Sequence, residues 1–115
     1  MREVRSVPQG KAAFALYLRK EQDGNIRGSF LQENGGKPVP FTSLSRMVLL
    51  MEDAMDVPQE EGEQQIAQTP DLEVEVLFRQ NSTWQGVLRR PGSREGQNFR
   101  SVLELLMLLE NAMAE

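Results

Sequence analysis

The chain states one pattern twice. Residues 28–55 read GSFLQENGGKPVPFTSLSRMVLLMEDAM and residues 86–113 read GVLRRPGSREGQNFRSVLELLMLLENAM. A constant shift of 58 residues sets Gly28 on Gly86, Phe41 on Phe99, Ser43 on Ser101, Glu52 on Glu110, Ala54 on Ala112 and Met55 on Met113 without a gap. Upstream, LRKEQDGNIRG matches FRQNSTWQG once two residues are inserted in the first copy's turn. A unit of this size is too small to close a core alone, so it needs its neighbour. The expectation is a single domain, 1–115, made of two half-units, 11–56 and 72–115, joined through 57–71.

Composition limits the chemistry. There are 115 residues, 39% of them hydrophobic, enough for one core and too few for two. Cysteine and histidine are both absent. That removes disulfides, thiolate metal sites, the usual zinc ligand and every His-dependent catalytic arrangement. No apolar run reaches the roughly 20 residues of a membrane span, and MREVRSVPQG has no apolar signal core, so a cytoplasmic protein without a membrane is expected. The net charge of -4 is unevenly placed. The stretch 57–71, VPQEEGEQQIAQTPD, holds four acidic groups and no basic one, while each half-unit is close to neutral. Such composition reads as a solvated acidic linker.

Each half-unit reads as strand, strand, helix. Leu72, Val74, Val76 and Phe78 alternate with Glu73, Glu75 and Arg79, leaving Leu77 as an apolar exception on the outer face. After a turn, Trp84, Gly86 and Leu88 share one face. The first copy repeats this with Phe14, Leu16 and Leu18, an Asp23-Gly24 turn, then Ile26, Gly28 and Phe30. Ser101-Val102-Leu103-Glu104 fits a capping box, whereas Arg46 stands where the first copy would need the glutamate and leaves Ser43 as a simple cap. At 100° per residue, Val102, Leu105, Leu106, Leu108, Leu109, Ala112 and Met113 form one apolar face, and Leu44, Met47, Val48, Leu50, Met51, Ala54 and Met55 repeat it. Gly28 and Gly86 sit mid-strand at equivalent places. Close packing of the strand beneath its helix explains them better than a ligand does.

The run FRQNSTWQG followed by NFRSVLELLMLLENAM resembles a pattern shared by short bacterial proteins of unknown function, typical of Gram-positive anaerobes and often containing one such unit. The resemblance covers 72–115 closely and 12–55 loosely. It brings no catalytic residue, cofactor or ligand. It implies that single-unit relatives pair to make the arrangement this chain makes internally.

No enzymatic constellation emerges. Ser43 and Ser101 are explained by capping and have no histidine as base. Gly35-Gly36 and Gly92 match no phosphate-loop spacing. Two surfaces remain. On the outer sheet face the alternation places Tyr17, Arg19, Arg27, Arg79, Gln85 and Arg89, an aromatic-plus-arginine set of the kind that binds single-stranded nucleic acid, but Glu73 and Glu75 share it. On the helix backs, away from the core direction, stand Leu49, Leu103 and Met107. Apolar residues there point to a protein partner or to self-association.

The fold expected is α+β: a two-layer ββαββα tandem repeat with a four-stranded antiparallel sheet, two helices on one face and a pseudo-two-fold axis. The long first strand of each half is expected at the centre. The function expected is a small non-enzymatic interaction or assembly module without cofactor or metal, with nucleic-acid binding second.

Overall fold

The alternation of the first half does produce a hairpin. In the computed structural model, which describes residues 12–33, 37–56, 69–80 and 83–114, β1 (Ala12–Lys20) pairs antiparallel with β2 (Ile26–Gln32). Gly24 takes the turn with a φ of 89°, a conformation open to glycine. Asp23 Oδ1 accepts the Asn25 amide at 2.9 Å and closes the turn locally. The second half begins with the same device: β4 (Leu72–Gln80) pairs with β5 (Thr83–Arg89).

Each hairpin then gains a third strand, and here the four-stranded ββαββα expectation fails. β3 (Val39–Phe41) adds to β2, and β6 (Gly96–Phe99) adds to β5. With α1 (Leu44–Asp56) and α2 (Val102–Ala112), the order is βββαβββα, and the described residues form a six-stranded antiparallel sheet ordered β3-β2-β1-β4-β5-β6. The short outer strands carry little alternation to detect. β3 contains Pro40, which an edge strand tolerates because it has an amide side free of pairing, and β6 exposes Gly96, Gln97 and Asn98. Each is held by one buried phenylalanine: Phe41 pairs with Gly28, and Phe99 with Gly86.

Nor do the helices form one common layer over four strands. α1 lies against β2 and β3, and α2 against β5 and β6, so each serves the outer strands of its own half. The long first strands do take the centre, paired from Ala12 with Val76 to Leu16 with Leu72. Asp71 extends that seam: its amide donates to Leu16 O at 2.8 Å, and its carboxylate accepts the Leu18 amide at 2.8 Å. Asp71 thus ties the end of the stretch read as acidic linker to β1; linker residues 57–68 lie outside those described.

The two halves keep a shift of 58 through both hairpins. Leu18 faces Gly28 as Val76 faces Gly86, and Leu16 faces Phe30 as Val74 faces Leu88. The two-residue insertion expected in the first turn is thus replaced by a different asymmetry, a register shift in β4 between Val76 and Phe78. This β-bulge opposes two residues to one and reverses the faces beyond it.

One apolar core joins the halves. Phe14, Leu16, Phe30, Val74, Val76, Trp84 and Phe99 are fully buried, with Met47 and Met51 from α1 and Leu105 and Leu109 from α2 above them. Ser43 and Ser101 cap their helices, each Oγ accepting from the amide three residues on at 3.1 Å. Glu104 completes the second cap by accepting the Arg100 amide at 2.7 Å, one residue earlier than the box expected. Neither helix is long and apolar enough to cross a membrane.

Candidate functional site

Helical periodicity decides which way α2 faces. Leu105 and Leu109 point into the core and are fully buried, while Val102, Leu106, Leu108 and Ala112 are half-buried beside them. The opposite direction belongs to Leu103 and Met107, which are 67% and 58% exposed. They lie four residues apart, so their side chains neighbour each other on one helix face. Exposed Arg100, Glu104 and Glu110 surround them. On α1 the corresponding back carries Leu49, 54% exposed, and an exposed serine, Ser45, where α2 has Leu103. The structure thus brings Leu103 and Met107 together and leaves Leu49 separate on the other helix.

The outer sheet face gathers only part of the aromatic and arginine set expected there. Tyr17, Arg19, Arg27 and Arg89 lie on strands β1, β2 and β5 with the side-chain parity of that face. Arg79 does not. The bulge pairs Arg79 with the core residue Trp84, so its side chain comes to the helix side and meets Asp56, the last residue of α1, at 2.6 Å. The same reversal carries Phe78, expected in the core, out to the opposite side beside Gln85, where it is 45% exposed next to the equally exposed Leu77. The adjacent apolar pair Leu77-Phe78 was the sequence signal of the bulge, since strict alternation cannot set both on one face.

Carboxylates answer these arginines. Arg19 and Arg27 both lie 3.6 Å from the carboxylate of Glu21, and Arg89 lies 3.2 Å from Glu75. Beyond Arg89, a hollow of about 200 Å³ is walled by Glu33, Glu73 and Glu75. Glu33 there titrates above the usual carboxylate range, because burial disfavours its charge and Glu73 and Glu75 repel it, with Arg89 opposing weakly. The centre of this face is also closed: Ala15 and Leu31 face each other across β1 and β2, and both are buried. The sequence placed Glu73 and Glu75 on this face, but their meeting with Glu33 depended on pairing across three strands.

Gly28 and Gly86 resolve without a ligand. A Cβ on Gly28 would collide with the carbonyl oxygen of Tyr17, and one on Gly86 with that of Glu75, in each case on the neighbouring strand. The close approach is between strands, not between strand and helix as expected. Over Gly86 the ring of Phe99 would also be met, at 2.9 Å.

A further cleft lies elsewhere, a space of about 410 Å³ between the C-terminal turn of α2 and the β5–β6 turn. Leu72 and Leu88 are among its lining residues; the corresponding residues of the first half are Phe14 and Phe30, whose rings pack edge to face with centroids 5.4 Å apart. Its hydroxyl, Ser93, is engaged in the turn, bonded to both the amide and the carbonyl of Glu95. No nucleophile and base meet there. Among the described residues no group of three or more acidic side chains is placed to hold a metal ion.

Comparison with known protein families, with curated proteins and with solved structures finds no match to this chain.

Proposed function

We propose that this chain is a small, non-enzymatic protein-interaction module of the cytoplasm that acts by presenting the back of α2 to another protein surface. The observation that carries this reading is the pair Leu103 and Met107, the two most exposed large apolar side chains described, adjacent on one face of a well-capped helix. Burying apolar side chains away from water lowers the free energy, and a rigid helix presents them without a backbone ordering cost on binding. Methionine adds tolerance, because its unbranched thioether adapts to imperfect shapes.

The preference over single-stranded nucleic acid rests on the ion pairs. A phosphate backbone would have to displace Glu21 and Glu75 from the arginines and approach the Glu33, Glu73 and Glu75 hollow. That like-charge approach opposes binding.

The test is a photo-crosslinking amino acid placed at Met107 in the full chain in living cells, with Asp53, exposed on α1, as the control position. Specific protein adducts from position 107 and not from 53 are expected. An identical pattern at both positions removes the reading.

A further inference from the structure

We infer that the surface on α2 is occupied by α2 of a second copy of this chain, packed antiparallel about a two-fold axis at the level of Leu105. This rests on the interaction-module reading and names its partner. The argument begins from spacing. Positions 103, 107 and 110 recur at the four-then-three interval that keeps residues on one helix stripe, and Arg100 stands three residues before Leu103, just outside the cap. All four residues are exposed.

An antiparallel pair with its axis at residue 105 sets Leu103 of one copy opposite Met107 of the other. The same axis sets Arg100 of one copy opposite Glu110 of the other. Both relations then occur twice, because a two-fold interface uses one patch against itself. The stripe is therefore self-complementary in apolarity and in charge together: an apolar centre of four side chains, flanked at each end by an Arg–Glu pair. A parallel arrangement would instead set Arg100 against Arg100 and Glu110 against Glu110. The cap leaves these charges available to the interface. Ser101 Oγ accepts the Glu104 amide and Glu104 accepts the Arg100 amide, so the cap uses only the backbone of Arg100 and does not involve Glu110.

The back of α1 is not an equivalent partner. There Thr42 and Ser45 occupy the positions of Arg100 and Leu103, so the basic end and half of the apolar centre are missing. An α1–α2 contact would also be head-to-tail and leave open surfaces at both ends, whereas α2 against α2 closes at two copies.

The experiment is sedimentation equilibrium on the purified full chain at low salt, for wild type, Arg100→Glu, Glu110→Arg, the double variant, and an equimolar mixture of the two single variants. Wild type is expected to be a dimer. Each single variant replaces two attractive pairs with two repulsive ones and is expected to weaken the dimer about ten-fold or more. The double variant is expected to recover, and so is the mixture, because the two single variants are complementary to each other and not to themselves. Leu103→Glu with Met107→Glu, which sets glutamate against glutamate twice across the axis, is expected to be monomeric with cooperative thermal unfolding retained. A wild type monomeric to its solubility limit overturns the inference, as does a dimer indifferent to both charge reversals or a mixture that fails to recover. Crosslinks from Met107 to a different protein, with a monomeric wild type, overturn the self-pairing and leave the general reading standing; absence of both removes the two together.

Discussion

Arg79 of β4 reaches the last residue of α1, its Nη2 lying 2.6 Å from Asp56 Oδ1. The pair ties the second half of the chain to the first, and it exists because the bulge after Val76 turns Arg79 toward the helices. Arg79 is largely covered while Asp56 is more than half exposed, so solvent screens the attraction. A double-mutant cycle with Arg79→Ala and Asp56→Ala is expected to give a coupling below about 1 kcal/mol, with Arg79→Ala costing more than Asp56→Ala through lost packing of its stem. Urea unfolding measures it. Equal costs for the two single changes would place Arg79 on the solvated face.

Gly86→Val should be far more damaging than Val87→Thr. The added Cβ meets the Glu75 carbonyl and the Phe99 ring, and the backbone obstacle cannot rotate away. Overpacking costs about 1 to 3 kcal/mol where side chains can yield, and this change should sit at or above that range. Val87 is half-buried on the other side of the sheet, where a hydroxyl can be solvated. Comparable denaturation midpoints for the two variants would refute the strand-to-strand contact.

Asp71→Ala should loosen the end of the β1–β4 seam. It removes the acceptor of the Leu18 amide, and an amide left without its partner costs about 1 to 3 kcal/mol if water does not replace it. Hydrogen exchange at Leu18 should accelerate in this variant, while Asp71→Asn, which keeps an oxygen, should preserve most of the protection. Unchanged exchange at Leu18 in the alanine variant would show the bond contributes nothing.

Glu33 gives the fold a pH dependence of definite sign. Its carboxyl titrates above the ordinary glutamate value, so between that value and its own the folded chain holds a proton the unfolded chain has released. This contribution to stability is present at low pH and is lost as pH rises through that window. Glu33→Gln carries no such charge and should gain on wild type across the window, then keep that advantage at neutral pH. Chemical denaturation of both proteins at a series of pH values checks it. A stability difference that does not vary with pH contradicts the cluster.

How far the amino acids alone specify this molecule can be followed residue by residue. The two hairpins, the helix faces built on Met47, Met51, Leu105 and Leu109, and the caps at Ser43 and Ser101 are all written in local order. Periodicities of 2 and 3.6 and serine before an apolar run act within a few residues. The exposure of Leu49, Leu103 and Met107 follows from the same periodicity, since fixing the buried stripe of a helix also fixes its back.

What tertiary structure decided lies where one residue's environment depends on a distant strand. β3 and β6 are too short and too polar to announce themselves, and each exists because a neighbouring strand offers an edge and a glycine beneath its phenylalanine. The bulge that exchanges Phe78 and Arg79 between faces was visible only as an unresolved Leu77-Phe78 pair. Pairing with β5 chose its position. Glu33, Glu73 and Glu75 are up to 42 residues apart in the chain, and only the order β2-β1-β4 brings their charges together. Local patterns are short-range statements about one element, whereas register, edge addition and electrostatic neighbours are set by which elements meet, and that choice is made by the core as a whole.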